Sequence, residues 1–141
     1  QALLDSGRTV SDNSLQEGSW DTASGYDAFE RLLKRYPEMD AVFVANDQMA
    51  LAVLSCAWQH ELKVPEQFGV AGFDGISESA YFIPSLTTIK QDFRGLGALA
   101  VRKIKQLQEP EMSSSKVGSD TTILTPDLII RSSTRRSGGR A

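Results

Sequence analysis

The sequence predicts an α/β fold in which a largely parallel sheet is flanked by helices. Segments whose apolar residues recur every three or four positions alternate with short, continuous apolar runs, which is typical of strands joined by crossover helices. The 141 residues are 40% hydrophobic and 23% charged, as in one globular domain or part of one. No run approaches the roughly 20 apolar residues of a membrane span, so we exclude an integral membrane protein.

The first predicted helix covers residues 23–36, where four apolar side chains recur at the spacing of one helix face. Asp21 or Thr22 can cap its start, and Pro37 ends it. The apolar run at residues 41–45 follows. Because this run contains no polar position, it predicts a strand that is buried on both faces.

The second predicted helix covers residues 48–62 and follows Asn46 and Asp47, either of which can cap it. Its apolar residues occupy two faces. One stripe consists of Met49, Val53, Cys56 and His60, and a second group consists of Leu51, Leu54 and Trp58. Two apolar faces indicate contact with the sheet on one side and with a partner on the other.

The rest of the chain continues the alternation of strands and helices. We predict a strand, a short helical segment, a strand, a helix and two short strands at residues 68–73, 78–82, 86–89, 94–107, 122–124 and 128–131. The helix carries an apolar stripe that we expect to be buried, formed by Leu96, Leu99, Ala100, Ile104 and Leu107.

Charge and residue counts exclude several classes of protein. The net charge of −3 argues against nucleic-acid binding by the body of the chain. The last eleven residues carry four arginines and no acid, and we expect residues 132–141 to form a flexible basic tail. Cys56 and His60 are the only cysteine and histidine, so we predict neither a disulfide framework nor a cysteine–histidine metal cluster.

Polar residues follow three predicted strands at the point where each strand ends, namely Asn46, Asp74 and Gln91. The ends of parallel strands lie along one edge of a sheet, and ligands bind in the crevice outside that edge. Two amides and a carboxylate offer donors and acceptors suited to a neutral, polyhydroxylated ligand. One alternative stays open, in which Asn46 only caps a helix and Asp74 only forms a turn with Gly75.

Two aromatic residues are candidates to complete such a site. Trp20 lies in a Gly-Ser-Trp-Asp loop, and Phe93 follows Gln91 by two positions. The apolar face of a sugar ring packs on an aromatic face, whereas a loop tryptophan also serves as partly buried packing. In a third interpretation Asp74 is the reactive carboxylate of an enzyme or phosphoacceptor module, with Asp47 as its second acid.

Five short motifs occur in order along the chain: VANDQMAL at 44–51, VPE at 64–66, VAGFD at 70–74, FIP at 82–84 and LTTIKQDF at 86–93. Together they resemble the effector-binding domain of the LacI/GalR family of bacterial transcription repressors, over about residues 20–131. The resemblance implies a type I periplasmic-binding-protein-like fold, in which two α/β lobes hold the ligand in the cleft between them.

The resemblance also implies roles for particular residues. Asn46 and Asp74 would hydrogen-bond sugar hydroxyls, Trp20 would cover the sugar, and Gln91 and Phe93 would lie at a crossover between lobes. The implied dimer interface consists of Met49, Leu51, Leu54, Tyr81 and Phe82. No catalytic residue, metal or cofactor is expected.

On the same grounds we expect the chain to be the C-terminal part of a longer repressor. Residues 1–90 would form the C-terminal lobe, 91–120 a crossover segment of the N-terminal lobe, and 121–131 the returning strands. The expected protein is a cytoplasmic, non-enzymatic homodimer in which a sugar effector controls, by allostery, operator DNA binding through an N-terminal helix-turn-helix. The alternative is a periplasmic sugar-binding receptor of a transporter.

Overall fold

The computed structural model describes residues 5–7, 11–108 and 121–135. Its main elements are, in chain order, α1 (Thr22–Arg35), β1 (Ala41–Phe43), α2 (Asp47–Gln59), β2 (Gly69–Asp74), β3 (Thr87–Lys90), α3 (Phe93–Gln108) and β4 (Asp127–Ile129). Short 3₁₀ helices occupy Asp12–Ser14 and Ser77–Tyr81. The predicted elements are present except the strand at 122–124, whose residues pair with no other strand in the described part of the chain. No helix there is both long and apolar enough to cross a bilayer.

The described strands form one sheet in the order β1-β2-β3-β4. β1, β2 and β3 run parallel, with Val42 beside Val70, and β4 is antiparallel to β3. The parallel strands therefore place their carboxyl ends along one edge, as the sequence predicts. Asp74 and Lys90 are register partners at that edge.

The core lies between the helices and one face of the sheet, because α1 packs against α2 and α2 contacts β2. Phe29 stacks on Phe68 there, with 5.6 Å between the ring centroids. The buried core residues are Phe29, Leu32, Val44, Met49, Ala50, Val53, Leu54, Cys56, Ala57, Phe68, Val70 and Leu86. Removal of these apolar side chains from water is what holds the helix pair on the sheet.

The first two helices begin where the sequence predicts. Asp21 accepts a hydrogen bond from the backbone N–H of Ser24 at 2.8 Å, and Asn46 accepts one from Met49 at 2.7 Å. These contacts satisfy backbone donors that the first turn of a helix leaves without intrahelical partners. α1 ends at Arg35, just before the proline that the sequence places there as a stop.

β1 is less buried than its apolar sequence predicts. Val42 packs against the core, whereas Ala41 and Phe43 are exposed. Phe43 is 62% exposed, and its ring meets Phe73 edge-on. The prediction of burial on both faces is wrong because the described residues provide no second layer over the face that carries Phe43.

α3 forms as predicted, but its apolar stripe is not buried. No residue of α3 is buried, and Ile104 is 55% exposed. An apolar face favours a helix, but burial also requires another element to pack against it. None of the other described elements packs extensively on α3, so the prediction of a buried stripe is wrong for this part of the chain.

Within the described part of the predicted flexible tail, Ser133 is held by hydrogen bonds to the sheet. Ser133 is fully buried, and its hydroxyl donates to the carbonyl oxygen of Val70 at 2.6 Å and accepts from the backbone N–H of Thr87 at 2.8 Å. The prediction is corrected for residues 132–135, because short hydroxyl side chains satisfy backbone groups of the sheet there. Residues 136–141 of the tail and 109–120 of the predicted crossover segment lie outside the described residues.

Candidate functional site

Asn46 is buried at the start of α2, and both ends of its side-chain amide have protein partners. Oδ1 accepts from the backbone N–H of Met49 at 2.7 Å, and Nδ2 donates to the carbonyl oxygen of Trp20 at 2.9 Å. Asn46 therefore caps the helix, as the structural alternative predicts, and it also holds the loop that carries Trp20. Because an amide nitrogen carries two N–H groups, one donor remains for a ligand.

Asp74 and Gln91 meet at the carboxyl edge of the sheet. Gln91 Nε2 donates to Asp74 Oδ1 at 2.9 Å, and the backbone N–H of Gln91 donates to the Asp74 carbonyl oxygen at 3.3 Å. Asp74 has a φ of +105°, which is uncommon for a residue with a side chain, and Gly75 has +72°. Among the described residues Asp74 Oδ2 has no hydrogen-bond partner, so this half-buried oxygen is open to a ligand.

Asp47 connects the three strand ends, a role that the sequence analysis missed. It is fully buried, its Oδ2 accepts from the backbone N–H of Ile76 at 2.9 Å, and its Oδ1 accepts from the Thr88 hydroxyl at 2.6 Å. A Cβ at Gly72 would lie 2.3 Å from Asp47 Oδ1, so the strand passes too close for a side chain. The sequence signal was an acid at the first position of a helix, which also fits an exposed residue near the helix dipole.

Trp20 and Phe93 are both exposed near these polar groups. Trp20 has a φ of +71° and is 68% exposed, and its loop leads into the capped start of α1. There the backbone N–H of Ser24 and the hydroxyl of Ser19 donate to Asp21 and lower the pKa of its carboxyl below the ordinary value of 3.8. Phe93 begins α3, two residues after Gln91 in sequence, and its ring is more than half exposed.

The structure thus brings the predicted site residues together as two pairs, Asn46 with Trp20 and Asp74 with Gln91. No hydrogen bond between the two pairs is seen among the described residues. The link between them is Asp47, which follows Asn46 in sequence and binds the loop that follows Asp74.

A cavity of about 380 Å³ opens between the Trp20 loop, α1 and β1. Its lining is mainly apolar and includes Leu15, Phe29, Phe43 and Met49. The polar strand-end residues Asp74 and Gln91 do not line this cavity, whereas Trp20, which belongs to the predicted sugar site, does. The cavity lies along the edge strand β1, where the face that carries Phe43 is uncovered.

The residues of the implied dimer interface divide into two groups. Met49 and Leu54 are buried in the core of this chain, whereas Leu51 and Tyr81 are exposed and Phe82 packs partly against the core. The inward orientation of Met49 and Leu54 follows from the packing of α2 between α1 and the sheet. Leu51 and Trp58 are exposed on α2, Ile83 lines a groove together with Trp58, and Tyr81 is exposed two residues before Ile83; we call these four side chains the outer patch.

The family model of the periplasmic binding protein-like domain matches residues 2–134. The chain belongs to this family. The match confirms the predicted fold, since the parallel-dominated sheet and its helices are shared with known members. The predicted resemblance to LacI/GalR regulators is confirmed as well, because the similar proteins described next are regulators of that type.

The relatives are bacterial transcription regulators. The probable HTH-type transcriptional repressor ExuR from Bacillus subtilis (strain 168) is 34% identical over 119 residues, which cover 84% of this chain and 36% of that protein. The transcriptional regulator CelR in complex with cellobiose has a TM-score of 0.84 and 28% identity, covering 94% of this chain and 39% of that chain. A lac repressor dimer bound to operator and the anti-inducer ONPF has a TM-score of 0.74 and 36% identity, covering 84% and 34%.

This periplasmic-binding-protein-like chain therefore spans less than half the length of these relatives. All three are named as repressors or transcriptional regulators, and none is named as a transport receptor. The alternative of a transporter receptor is accordingly not favoured.

Proposed function

We propose that this chain is the effector-binding part of a LacI-type transcriptional repressor and that its effector is a sugar. The carboxylate of Asp74 carries the proposal. Gln91 holds one carboxylate oxygen at 2.9 Å, and the other oxygen has no hydrogen-bond partner among the described residues. An ionised oxygen held in this way is a strong acceptor for hydroxyl groups. The CelR complex, which is similar in fold, has cellobiose bound.

The neighbouring residues have complementary roles in this proposal. Asn46 offers its remaining amide N–H to a hydroxyl oxygen, and its other bonds keep the Trp20 loop in place. The exposed ring of Trp20 would cover the apolar face of the sugar. Gln91 orients Asp74, and Phe93 would contact the ligand from the start of α3.

The chain would form one lobe and part of another in a longer, cytoplasmic, non-enzymatic protein. Residues 1–90 with 121–131 would make the C-terminal lobe, and 91–120 would pack on an N-terminal lobe. The exposed apolar side chains of α3 support this division, because an amphipathic helix is stable only when its apolar face has a partner. The effector would then lie between the two lobes.

Regulation would follow from a shift between two arrangements of the lobes. The effector would bind one arrangement more tightly, and the attached DNA-binding segments would then lose the spacing that the operator requires. Such coupling corresponds to about 1–3 kcal/mol of difference in effector binding. The outer patch would form the interface between two copies of the chain. The similar lac repressor structure, which is a dimer, supports this assignment.

The proposal is tested by calorimetric titration of the full-length protein with a panel of mono- and disaccharides. We expect one or more sugars to bind, and we expect Asp74→Ala to abolish binding because the hydroxyl acceptor is lost. Glu78→Ala is the matched control, since Glu78 is an exposed acid a few residues further along the chain. Circular dichroism of both variants establishes that the fold is retained.

Unchanged sugar affinity in Asp74→Ala would contradict the proposed site. Incubation with Mg²⁺ and a phosphodonor provides the second comparison, because phosphorylation of Asp74 would support a phosphoacceptor module instead. We expect no phosphate incorporation, since both oxygens of the neighbouring Asp47 already accept hydrogen bonds from the protein.

A further inference from the structure

Three side chains of metal-binding type meet between α1 and α2, away from the strand ends. Cys56 and His60 are four residues apart, so they lie on one face of α2 and its end. Glu30 faces them from α1. One ligand atom from each residue, namely the thiol sulfur, an imidazole nitrogen and a carboxylate oxygen, lies within 4.8 Å of the other two.

The sulfur and carboxylate of this group have the spacing of two ligands of one ion. Cys56 Sγ lies 3.7 Å from Glu30 Oε1, and His60 Nε2 contacts the same oxygen. A tetrahedral ion with bonds of about 2.3 Å to sulfur and about 2.0 Å to oxygen separates those two atoms by roughly 3.5 Å. An ion therefore fits the observed spacing of sulfur and carboxylate, and the imidazole has to move outward to admit it.

The surroundings of the group allow this movement. Cys56 is fully buried, whereas the side chains of His60 and Glu30 are 44% and 25% exposed. His60 lies just beyond the last residue of α2, where only the helix end constrains it. Among the described residues the ammonium of Lys34 lies 3.6 Å from Glu30 Oε2, on an exposed side chain.

We propose that Glu30, Cys56 and His60 bind a divalent transition-metal cation of the Zn²⁺ type and thereby join α1 to α2. Sulfur, imidazole nitrogen and carboxylate oxygen are the three protein ligands that zinc prefers, and water from the exposed side completes the fourth position. A metal-bound cysteine is a thiolate, so binding of the ion releases the proton of the Cys56 thiol to solvent. Counting cysteines and histidines missed this group because the third ligand comes from another helix.

The test uses the 141-residue chain after removal of metal with EDTA. Titration with Co²⁺ is expected to produce the thiolate-to-cobalt charge-transfer band together with the visible bands of four-coordinate cobalt, and Zn²⁺ should then displace both. Cys56→Ala should abolish the charge-transfer band. Zn²⁺ affinity should fall about tenfold or more in His60→Gln and in Glu30→Gln, because each removes a ligand.

Glu38→Gln is the matched control, since Glu38 is an exposed acid outside the group, and it should leave Zn²⁺ affinity unchanged. Zn²⁺ should also raise the unfolding temperature of the unaltered chain and of Glu38→Gln, but not of His60→Gln. Cobalt binding without a charge-transfer band, or equal Zn²⁺ affinity in the unaltered chain and His60→Gln, would overturn the proposal. His60→Gln decides the question even if Cys56→Ala fails to fold, because His60 lies at an exposed helix end.

Discussion

Two aspartates near the edge of the sheet differ in what their oxygens contact. Both oxygens of Asp47 accept hydrogen bonds from the protein, from the backbone of Ile76 and from the Thr88 hydroxyl. Within the part of the chain that the structure describes, Asp74 has one oxygen in such a contact, with Gln91. A buried carboxylate whose two oxygens both accept hydrogen bonds from the protein stabilises the fold, whereas a carboxylate with one oxygen outside such contacts can bind a ligand. Contacts of single atoms therefore assign different roles to residues of one type.

At this residue scale, the variant Asp47→Asn tests whether the hydrogen bonds of the Asp47 carboxylate stabilise the fold. The amide nitrogen cannot accept a hydrogen bond, so either the Ile76 N–H or the Thr88 O–H loses its acceptor in a buried place. We expect the free energy of unfolding to fall by about 1–3 kcal/mol, measured by urea denaturation. Asp27→Asn, an exposed position on α1, is the control and should change it little. Equal stability of the two variants would contradict the role of Asp47.

At the scale of elements, helix caps connect local structure to the site. The Asp21 side chain caps α1 and accepts from the hydroxyl of Ser19, next to Trp20, while Asn46 caps α2 and binds the Trp20 backbone. The loop that carries Trp20 is thus held at both helix starts. A capping residue here does more than begin a helix, because it also determines where an exposed aromatic side chain stands.

Asp21→Ala should destabilise the chain in a pH-dependent manner. Hydrogen bonds from Ser24 and Ser19 lower the pKa of Asp21 in the folded state, so its contribution is present above the ordinary value of 3.8. The contribution is lost as the pH falls through the lowered folded-state pKa. Urea denaturation at pH 7 and at successively more acidic values should show the difference between the unaltered chain and the variant shrinking. A difference that is independent of pH would contradict the charged cap.

At the scale of the whole molecule, two apolar surfaces besides the Phe43 face of β1 lack partners within the described residues. One is the outer patch, where Tyr81 is 85% exposed, and the other is the face of α3 that carries Ile104. Exposure of large apolar patches is typical of interaction surfaces in soluble proteins. Our proposals assign the first to a second copy of the chain and the second to an N-terminal lobe.

Leu51→Asp should weaken self-association, because it places a charge within the outer patch. Ile123→Asp is the matched control, since Ile123 is also exposed but lies outside the patch. Analytical ultracentrifugation of the unaltered chain should show a dimer that Leu51→Asp dissociates and Ile123→Asp preserves. An unaltered dimer in Leu51→Asp would contradict this assignment of the interface.

The order of elements was predictable because it depends on local patterns. The spacing of apolar residues predicted α1, α2 and α3, and residues that satisfy the first backbone donors, Asp21 and Asn46, marked two of their starts. The strand-end positions of Asp74 and Gln91 likewise followed from where each apolar run stopped. Their mutual hydrogen bond agrees with the expected meeting of parallel strand ends.

Burial was harder to predict, because it depends on what else is folded nearby. Phe43 and Ile104 have the sequence environment of buried residues but no covering layer in the described residues. Ser133 has the sequence environment of a flexible tail, yet it is fully buried and its hydroxyl makes two hydrogen bonds to backbone groups of the sheet. Hydrophobic periodicity indicates which face of a helix or strand is suited to burial. Whether that face is buried depends on another element packing against it.

By itself, the sequence determined the α/β alternation, the helix starts and the polar residues at the strand ends, because these depend on neighbours within a few positions. The tertiary structure alone decided that Asp47 would be buried with both oxygens occupied, and that Glu30 would meet Cys56 and His60. These contacts join residues that are 26 to 41 positions apart. No local pattern encodes such contacts, since they exist only after helices and strands have packed together.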